Sequence, residues 1–475
     1  MELFADQPGD DGLPGAQRRL AMIAVMTATT MAVLDGTIIN VALPSIAEAL
    51  RVPPATAIWV VNGYLLAAAM TLMTFAALAS RFGFRTLFVS GVSVFTVASL
   101  GCALSDSLAM LTTMRVLQGI GGAATLSIGP AIYRTVFPTR LLGRMLGLNA
   151  LVVAASTAIG PTVGGTLLAF LSWPWLFAIN IPLGIIGVVL GLRAIPQAPV
   201  ASRSGGFDVA GAALSALGMG ALILAADACA ELRQGTDAAL RAGLYALLAL
   251  VAGGLFIWRQ RYARQPLLPL DIFGSTRFSL AALCSLAAFV AQGIMIISLP
   301  FLFQNAYGYG VFHAALLFTA WPLGIVLAAP HAGKLADRYP AALLSTVGLG
   351  VFTLGLALLA VLPDTASTVN ICWRELVCGI GFGIFQSPNN REMLSNVSRE
   401  RSGSASGILA VVRTFGQCFG AAVVGIVLSV YAAASLQAPA TATQDAQAMA
   451  VAIGVAALVG GVAGLISIAR IGRHD

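Results

Sequence analysis

The chain has 475 residues, 58% hydrophobic and only 9% charged, with a formal net charge of +7 and a mean hydropathy of +0.90. Soluble globular proteins carry about 25% charged residues, so a soluble fold is excluded. With about twenty apolar residues needed per bilayer crossing, the chain has room for more than a dozen spans and no large aqueous domain.

In chain order, an acidic leader with Asp6, Asp10, Asp11, Pro8 and Pro14 ends at Arg18-Arg19. It offers no small-residue cleavage site and is expected to be retained. Apolar windows of about nineteen residues then place spans near 20–43, 57–79, 86–105, 108–130, 145–170, 175–195, 209–228, 239–258, 278–303, 312–332, 341–362, 371–389, 404–432 and 446–469, fourteen in all. The long segments 278–303 and 404–432 are expected to tilt rather than split. Between the spans, 20 of the 26 basic residues fall in the loops of one side, from Arg18 and Arg19 to Arg470 and Arg473. Only Arg51, Arg233, Arg241 and Arg374 fall on the other, while Arg115 and Arg413 lie inside spans. The positive-inside rule therefore puts both termini in the cytoplasm of a bacterial inner membrane and favours an even number of spans.

This charge is spread over short loops and forms no basic face for nucleic acid. The single lysine, Lys334, follows Gly333 but precedes Leu335, so no P-loop is present. Six cysteines without a C-x-x-C pair indicate neither a disulfide framework nor a zinc site. No cofactor, metal or catalytic residue is expected.

Repeats suggest the organisation. Ala76-Ala77-Leu78-Ala79-Ser80-Arg81 follows the second span, and Gly333-Lys334-Leu335-Ala336-Asp337-Arg338 follows the tenth, 257 residues later. Arg144 and Arg401 stand at the same offset. The expected layout is a tail over 1–19, a six-helix bundle over 20–195, a linker with two extra spans over 196–277, a second six-helix bundle over 278–469, and a tail over 470–475. Two similar halves around a midplane site is transporter architecture.

Asp35 is the one carboxylate deep in a span of the first half, roughly 10 Å inside the outer boundary at 1.5 Å per residue. Arg115 enters the fourth span from the outer side to about the same depth. Charges at that depth face a bundle interior or a cavity. One reading has Asp35 bind and release a proton, with Arg115 keeping the carboxylate ionised until substrate or movement breaks the pair. The other is a fixed ion pair tying two helices. Gln118, Gln292, Arg413 and Gln417 are candidates for a substrate cavity, with Arg413 meeting either a substrate's negative or carbonyl group or a neighbouring helix backbone. Gln304 reads as interhelical glue. Asp227 and Glu231 read as solvated loop residues, and His313 and His331 as surface or interface residues. Gly160-Pro161-Thr162-Val163-Gly164-Gly165 and Gly379-Ile380-Gly381-Phe382-Gly383 read as close-packing surfaces, the first kinked by proline.

Taken together, these motifs resemble the major facilitator superfamily, specifically its fourteen-span drug:proton antiporter branch. Leu34-Asp35-Gly36-Thr37-Ile38-Ile39-Asn40-Val41-Ala42-Leu43-Pro44 is similar to that branch's first-helix signature, and Arg115-Val116-Leu117-Gln118-Gly119-Ile120-Gly121 to its fourth-helix motif. The resemblance implies that Arg115 takes part in proton coupling and that Gly160, Pro161, Gly164 and Gly165 form the fifth-helix antiporter motif of exporters. Trp173-Pro174-Trp175-Leu176-Phe177-Ala178-Ile179-Asn180-Ile181-Pro182-Leu183-Gly184 fits the family's entry into span six, with Pro174 for an arginine. The family's gating loop, G-x-L-x-D-R-x-G-R-[RK], keeps Arg81, Gly83 and Arg85 in its first copy but has Ala76, Ser80 and Phe84 at other key positions. The second copy keeps Gly333, Asp337 and Arg338. More of any latch is therefore expected in the second loop.

The expected fold is an all-α integral membrane protein of 14 helices, two six-helix bundles plus two inserted helices. The expected function is proton-coupled export of a small amphipathic or lipophilic compound by a monomer in the lipid bilayer, with substrate and protons as its partners. The alternatives are a proton-coupled metabolite importer of the same fold and a transport-dead membrane sensor.

Overall fold

The computed structural model describes residues 4, 6, 10–197, 207–230, 236–263, 266–336, 338–363, 365–397, 402–434 and 442–471. Those residues form helices and connecting turns and contain no strand. The first half comprises α1 (Gly15–Ala49), α2 (Trp59–Phe82), α3 (Phe84–Ala103), α4 (Leu108–Val136), α5 (Thr139–Phe170) and α6 (Trp175–Ala194). Two further helices follow, α7 (Val209–Ala230) and α8 (Thr236–Tyr262). The second half comprises α9 (Thr276–Phe301), α10 (Val311–Leu335), α11 (Ala341–Ala360), α12 (Thr368–Ser395), α13 (Ser402–Ala434) and α14 (Ala442–Ile468).

Among the described residues, 13 helices are long and apolar enough to cross a membrane, against the fourteen expected. The difference is α4, which is helical for 29 residues but whose Arg115, Gln118, Arg134, threonines and glycines dilute its hydropathy. Side chains such as Val97, Leu104, Phe170 and Leu250 are exposed on the outer surface, and α8 is buried over only 11% of its apolar window. Such a surface suits hydrocarbon rather than water.

Glycines set the helix crossings. A methyl on Gly121 would lie 2.6 Å from both the Gly91 carbonyl and the Phe95 amide of α3, and one on Gly119 would run into the Tyr64 carbonyl of α2. α4 therefore lies backbone to backbone between α2 and α3, the close approach that small residues permit in membranes. Gly348 and Gly381 do the same for α11 and α12, and Gly293 and Gly420 for α9 and α13. α1 packs on α5 and α6, and α9 packs on α13 and α14. Across the molecule α5 meets α10, α2 meets α13, and α7 rests on α2 and α13.

The leader is docked rather than loose where it is described. Asp10 pairs with Arg140 at 2.7 Å and Asp11 accepts from the Thr139 amide at 2.9 Å, while Asp6 and Asp10 both face the buried Arg18.

Candidate functional site

Two neighbouring polar features among the described residues interrupt the apolar interior near α1 and α4, a sealed cluster around Asp35 and a cavity beside it. In the cluster, Arg115 Nη1 donates to Asp35 Oδ2 at 2.5 Å, and Gln118 Nε2 and Asn180 Nδ2 each donate to Asp35 Oδ1 at 2.8 Å. Arg115 Nη1 also reaches Gln118 Oε1 at 2.6 Å, its Nε donates to the Val60 carbonyl at 2.9 Å, and Gln118 Nε2 meets Ser99 Oγ at 2.8 Å. Tyr64 covers the guanidinium, its ring centroid 4.4 Å away. The side chains of Asp35 and Arg115 are 0% and 1% exposed. Removing two such charges from water costs several kcal/mol each, which mutual attraction offsets only when the remaining lone pairs and protons are also bonded. Here Gln118, Asn180, Ser99 and the Val60 carbonyl supply those bonds.

The helix crossings explain why these groups meet. Gly119 and Gly121 hold α4 against α2 and α3, so Arg115, one turn before Gly119, emerges between them toward α1. Gly160 and Gly164 hold α5 against Thr37 and Ile38 of α1, and Gly165 fits against Ala315 of α10. Pro161 lies inside α5 between these contacts. Thr162 and Thr319 then share a hydrogen bond of 2.9 Å across the two halves. The glycine motif thus lies within one helical turn of Asp35 on one side and touches the second half on the other.

The cavity has a volume of about 1020 Å³, at the upper end of the ~300–1,000 Å³ typical of small-molecule sites. It runs from the helix ends marked by Arg81, Arg134 and Asp208 inward to Gln292, Trp321 and Gln417. At the far end the halves touch, where Gln304 Nε2, within a wide helical turn at Leu302–Ala306, donates to the Val41 carbonyl at 2.9 Å. Arg115 lines the cavity while holding Asp35 behind it. Gln417 Nε2 donates to Gln292 Oε1 at 3.0 Å, and the Arg413 guanidinium lies 6.0 Å from the Phe289 ring centre, with all four residues on the cavity wall.

Some sequence expectations need correction. Gln118 does not line the cavity but is fully buried in the Asp35 cluster, its amide held by Arg115, Asp35 and Ser99. Asp227 is not a solvated loop residue, since its Oδ1 accepts from Trp59 Nε1 at 3.0 Å and ties α7 to α2. His313 stacks on Tyr309 at 4.6 Å, and His331 bonds the Leu327 carbonyl of its own helix. Arg81 lines the cavity mouth, and Gly83, with φ of 80°, makes the left-handed turn joining α2 to α3 that Arg85 follows. Gly333 meets Ser387 of α12 and Arg338 sits in an exposed turn. Asp337 and Glu231 lie outside the described residues.

Sequence reasoning passed over Asn180, Ser99 and Tyr64, although Asn180 stands within the span-six motif and marks itself as an amide in an apolar run. It also missed Glu375 on α12, fully buried, with the Trp321 backbone as its one polar neighbour among the described residues and no charged partner. Glu375 follows Arg374, which looked like a loop residue and instead caps the Leu358 carbonyl. No group of three or more His, Cys, Asp or Glu side chains among the described residues is placed to hold a metal ion.

Comparison with known proteins places these features. The Major Facilitator Superfamily profile matches residues 25–421. The chain is 44% identical over 419 residues to the uncharacterized transporter YebQ of Escherichia coli (strain K12), covering 88% of this chain and 91% of that one. It is 31% identical over 421 residues to the multidrug resistance protein Stp of Mycobacterium tuberculosis (strain ATCC 25618 / H37Rv), covering 88% and 77%. It is 29% identical over 406 residues to the riboflavin transporter RibZ of Clostridioides difficile (strain 630), covering 86% and 87%. The fold matches the inward-facing, unoccupied crystal structure of a bacterial homolog of the human lysosomal transporter Spinster, with a TM-score of 0.69, 15% identity and 98% of each chain covered. With its transporter-named relatives and its bundle of membrane-spanning helices, this chain belongs to the Major Facilitator Superfamily, as a multi-pass membrane transporter and not an enzyme.

Proposed function

We propose that this transporter is a proton-coupled exporter that moves a small amphipathic molecule out of the bacterial cytoplasm across the inner membrane. The observation that carries this reading is the double face of Arg115, which binds Asp35 on one side and lines the cavity on the other. A substrate in the cavity and the ionised Asp35 carboxylate then compete for the same guanidinium, and a proton taken up after the substrate has left resets the site. Occupation of the cavity weakens the Arg115–Asp35 pair, Asp35 takes a proton when the site faces outward, and return to the inward-facing state restores the pair and releases the proton to the cytoplasm.

In this reading residues 20–195 and 278–469 act as two six-helix halves that rock about the cavity, and the helices of 196–277 are carried with them. Gly160, Pro161, Gly164 and Gly165 form the sliding contact between α1, α5 and α10. The loops at Arg81, Gly83 and Arg85 and at Gly333, Asp337 and Arg338 close the cytoplasmic side. The relationship to a multidrug resistance protein supports export, while the relationship to a riboflavin transporter favours uptake as the second reading.

The test uses purified protein in liposomes with an internal pH dye. A substrate drawn from a drug panel should drive proton counterflow with the wild type and none with Asp35→Asn at equal incorporation. Symport of proton and substrate would replace export by import, and ATP-dependent transport without a gradient would end both readings.

A further inference from the structure

Charge in the cavity is unbalanced. Among the described residues that line it, Arg81, Arg115, Arg134 and Arg413 are basic and Asp208 alone is acidic. Asp208 sits at the mouth and is occupied by Arg259 at 2.6 Å, by Gln260 at 2.9 Å and by the Gly211 amide at 2.9 Å. Asp35 is sealed behind Arg115, itself 1% exposed, and the two charges cancel, which leaves Arg81, Arg134 and Arg413 as the excess. An entering cation would therefore meet several guanidinium groups and no carboxylate free to neutralise it.

Arg413 is the deep member of this set. Gly293, Gly416 and Gly420 bring α13 against α9 so closely that Arg413, one turn before Gln417, is held over the Phe289 ring. No hydrogen bond or ion pair joins its guanidinium to any described residue. A guanidinium presents five donors in a planar fork matched to carboxylate and sulfonate, and inside a membrane protein an unpartnered cation is costly. The neighbouring wall is aromatic and apolar, with Phe289, Phe318 and Trp321, and carries the Gln292–Gln417 amide pair.

We propose that the transported molecule is an amphipathic organic anion, an apolar ring system bearing one acidic group, and that Arg413 binds that group. The inference rests on the exporter reading for its direction but not for the binding itself. Rings stack along Phe289 and Trp321, and the anion supplies the acceptors that Arg413 lacks. The amide pair accommodates a further carbonyl or hydroxyl.

The experiment measures binding of three matched probes, naphthalene-2-sulfonate, naphthalene-2-sulfonamide and 2-naphthylmethylammonium, by equilibrium dialysis against the full chain in zwitterionic nanodiscs. The sulfonate is expected to bind at least about tenfold more tightly than the ammonium, and Arg413→Gln to weaken the sulfonate by about tenfold, ~1.4 kcal/mol. The neutral sulfonamide should bind the variant as it binds the wild type, showing that the cavity is intact, and Arg413→Lys should keep part of the preference. Equal or tighter binding of the ammonium, no sulfonate binding at millimolar concentration, or an unchanged preference in Arg413→Gln would overturn the proposal. Because dialysis needs no gradient, sulfonate binding without proton-driven transport removes the exporter reading alone. Proton-driven export of the ammonium but not the sulfonate removes this inference alone.

Discussion

Arg115 Nη1 stands 2.5 Å from Asp35 Oδ2 across α1 and α4, and neither side chain is more than 1% exposed. Breaking a buried pair by removing one partner costs about 3–5 kcal/mol, because the other charge is left uncompensated, whereas removing both charges is often nearly neutral. Arg115→Gln and Asp35→Asn are each expected to lower the thermal unfolding temperature. The double variant should be more stable than the sum of the two predicts. Strict additivity in detergent melts would show that the two side chains do not act as a pair.

Asn180 is the amide that completes the Asp35 cluster, donating to Oδ1 at 2.8 Å from α6. Hydrogen bonds to charged groups contribute about 1.5–3 kcal/mol, so Asn180→Ala is expected to destabilise by that order. It should also move the pH at which proton-coupled transport is half-maximal. A loss of stability with an unmoved pH profile would make Asn180 a purely structural support.

How far this cluster was legible follows from what a sequence can encode about depth and facing. Asp35 and Arg115 were readable as partners because the rise per residue converts position in a span directly into depth. Asn180, Ser99 and Tyr64 were not, because membrane helices are apolar nearly all round and periodicity does not show which face turns inward. The same blindness misplaced Gln118, whose depth was right but whose direction is fixed by the Gly119 and Gly121 crossings. α4 fell below the hydropathy of a span because it carries polar and small residues, the buried Arg115 and Gln118 among them.

Glu375 stands four residues before Gly379-Ile380-Gly381, as Arg115 stands four before Gly119-Ile120-Gly121, and Gly379 presses on the Trp321 carbonyl as Gly119 presses on that of Tyr64. The packing repeats while the charge is reversed. At the same 260-residue offset Asp35 corresponds to Met295 of α9, so Glu375 has no charged partner there. A carboxyl buried without a charged partner costs stability, so Glu375→Met is expected to raise the melting temperature. A fall on substitution would reveal a partner or a proton-handling role that outweighs this cost.

Gly160 is the position where the α1–α5 contact is tightest. Its missing side chain makes room for Thr37, whose Oγ1 is itself tied to the Val33 and Leu34 carbonyls at 3.1 and 3.0 Å. Overpacking of this kind costs about 1–3 kcal/mol, and here it would push α5 away from the Thr37 face of α1. Gly160→Ala is expected to cut transport while the protein still reaches the membrane. Adding Thr37→Ala should restore part of it, and failure of the second substitution to help would place the effect elsewhere.

Asp208 supplies the pH dependence outside the membrane spans. Burial at the start of α7 raises its carboxyl, but hydrogen bonds from Arg259, the Gly211 amide and Gln260, together with the Arg259 charge, outweigh this and hold it below the usual carboxylate range. A group whose folded value lies below its unfolded value, about 3.9 for aspartate, contributes stability that is present above the unfolded value. That stability is lost as pH falls through the folded one. The Asp208 end of the α7–α8 pair is therefore expected to loosen on acidification below about pH 4, seen as faster amide exchange at Gly211. Asp208→Asn should be less stable than wild type at neutral pH, by about 1–3 kcal/mol, and the difference should shrink in acid because the asparagine does not titrate. A gap between the two proteins that stays constant from neutral to acid pH would mean that the Asp208 charge adds nothing to the hold on Arg259.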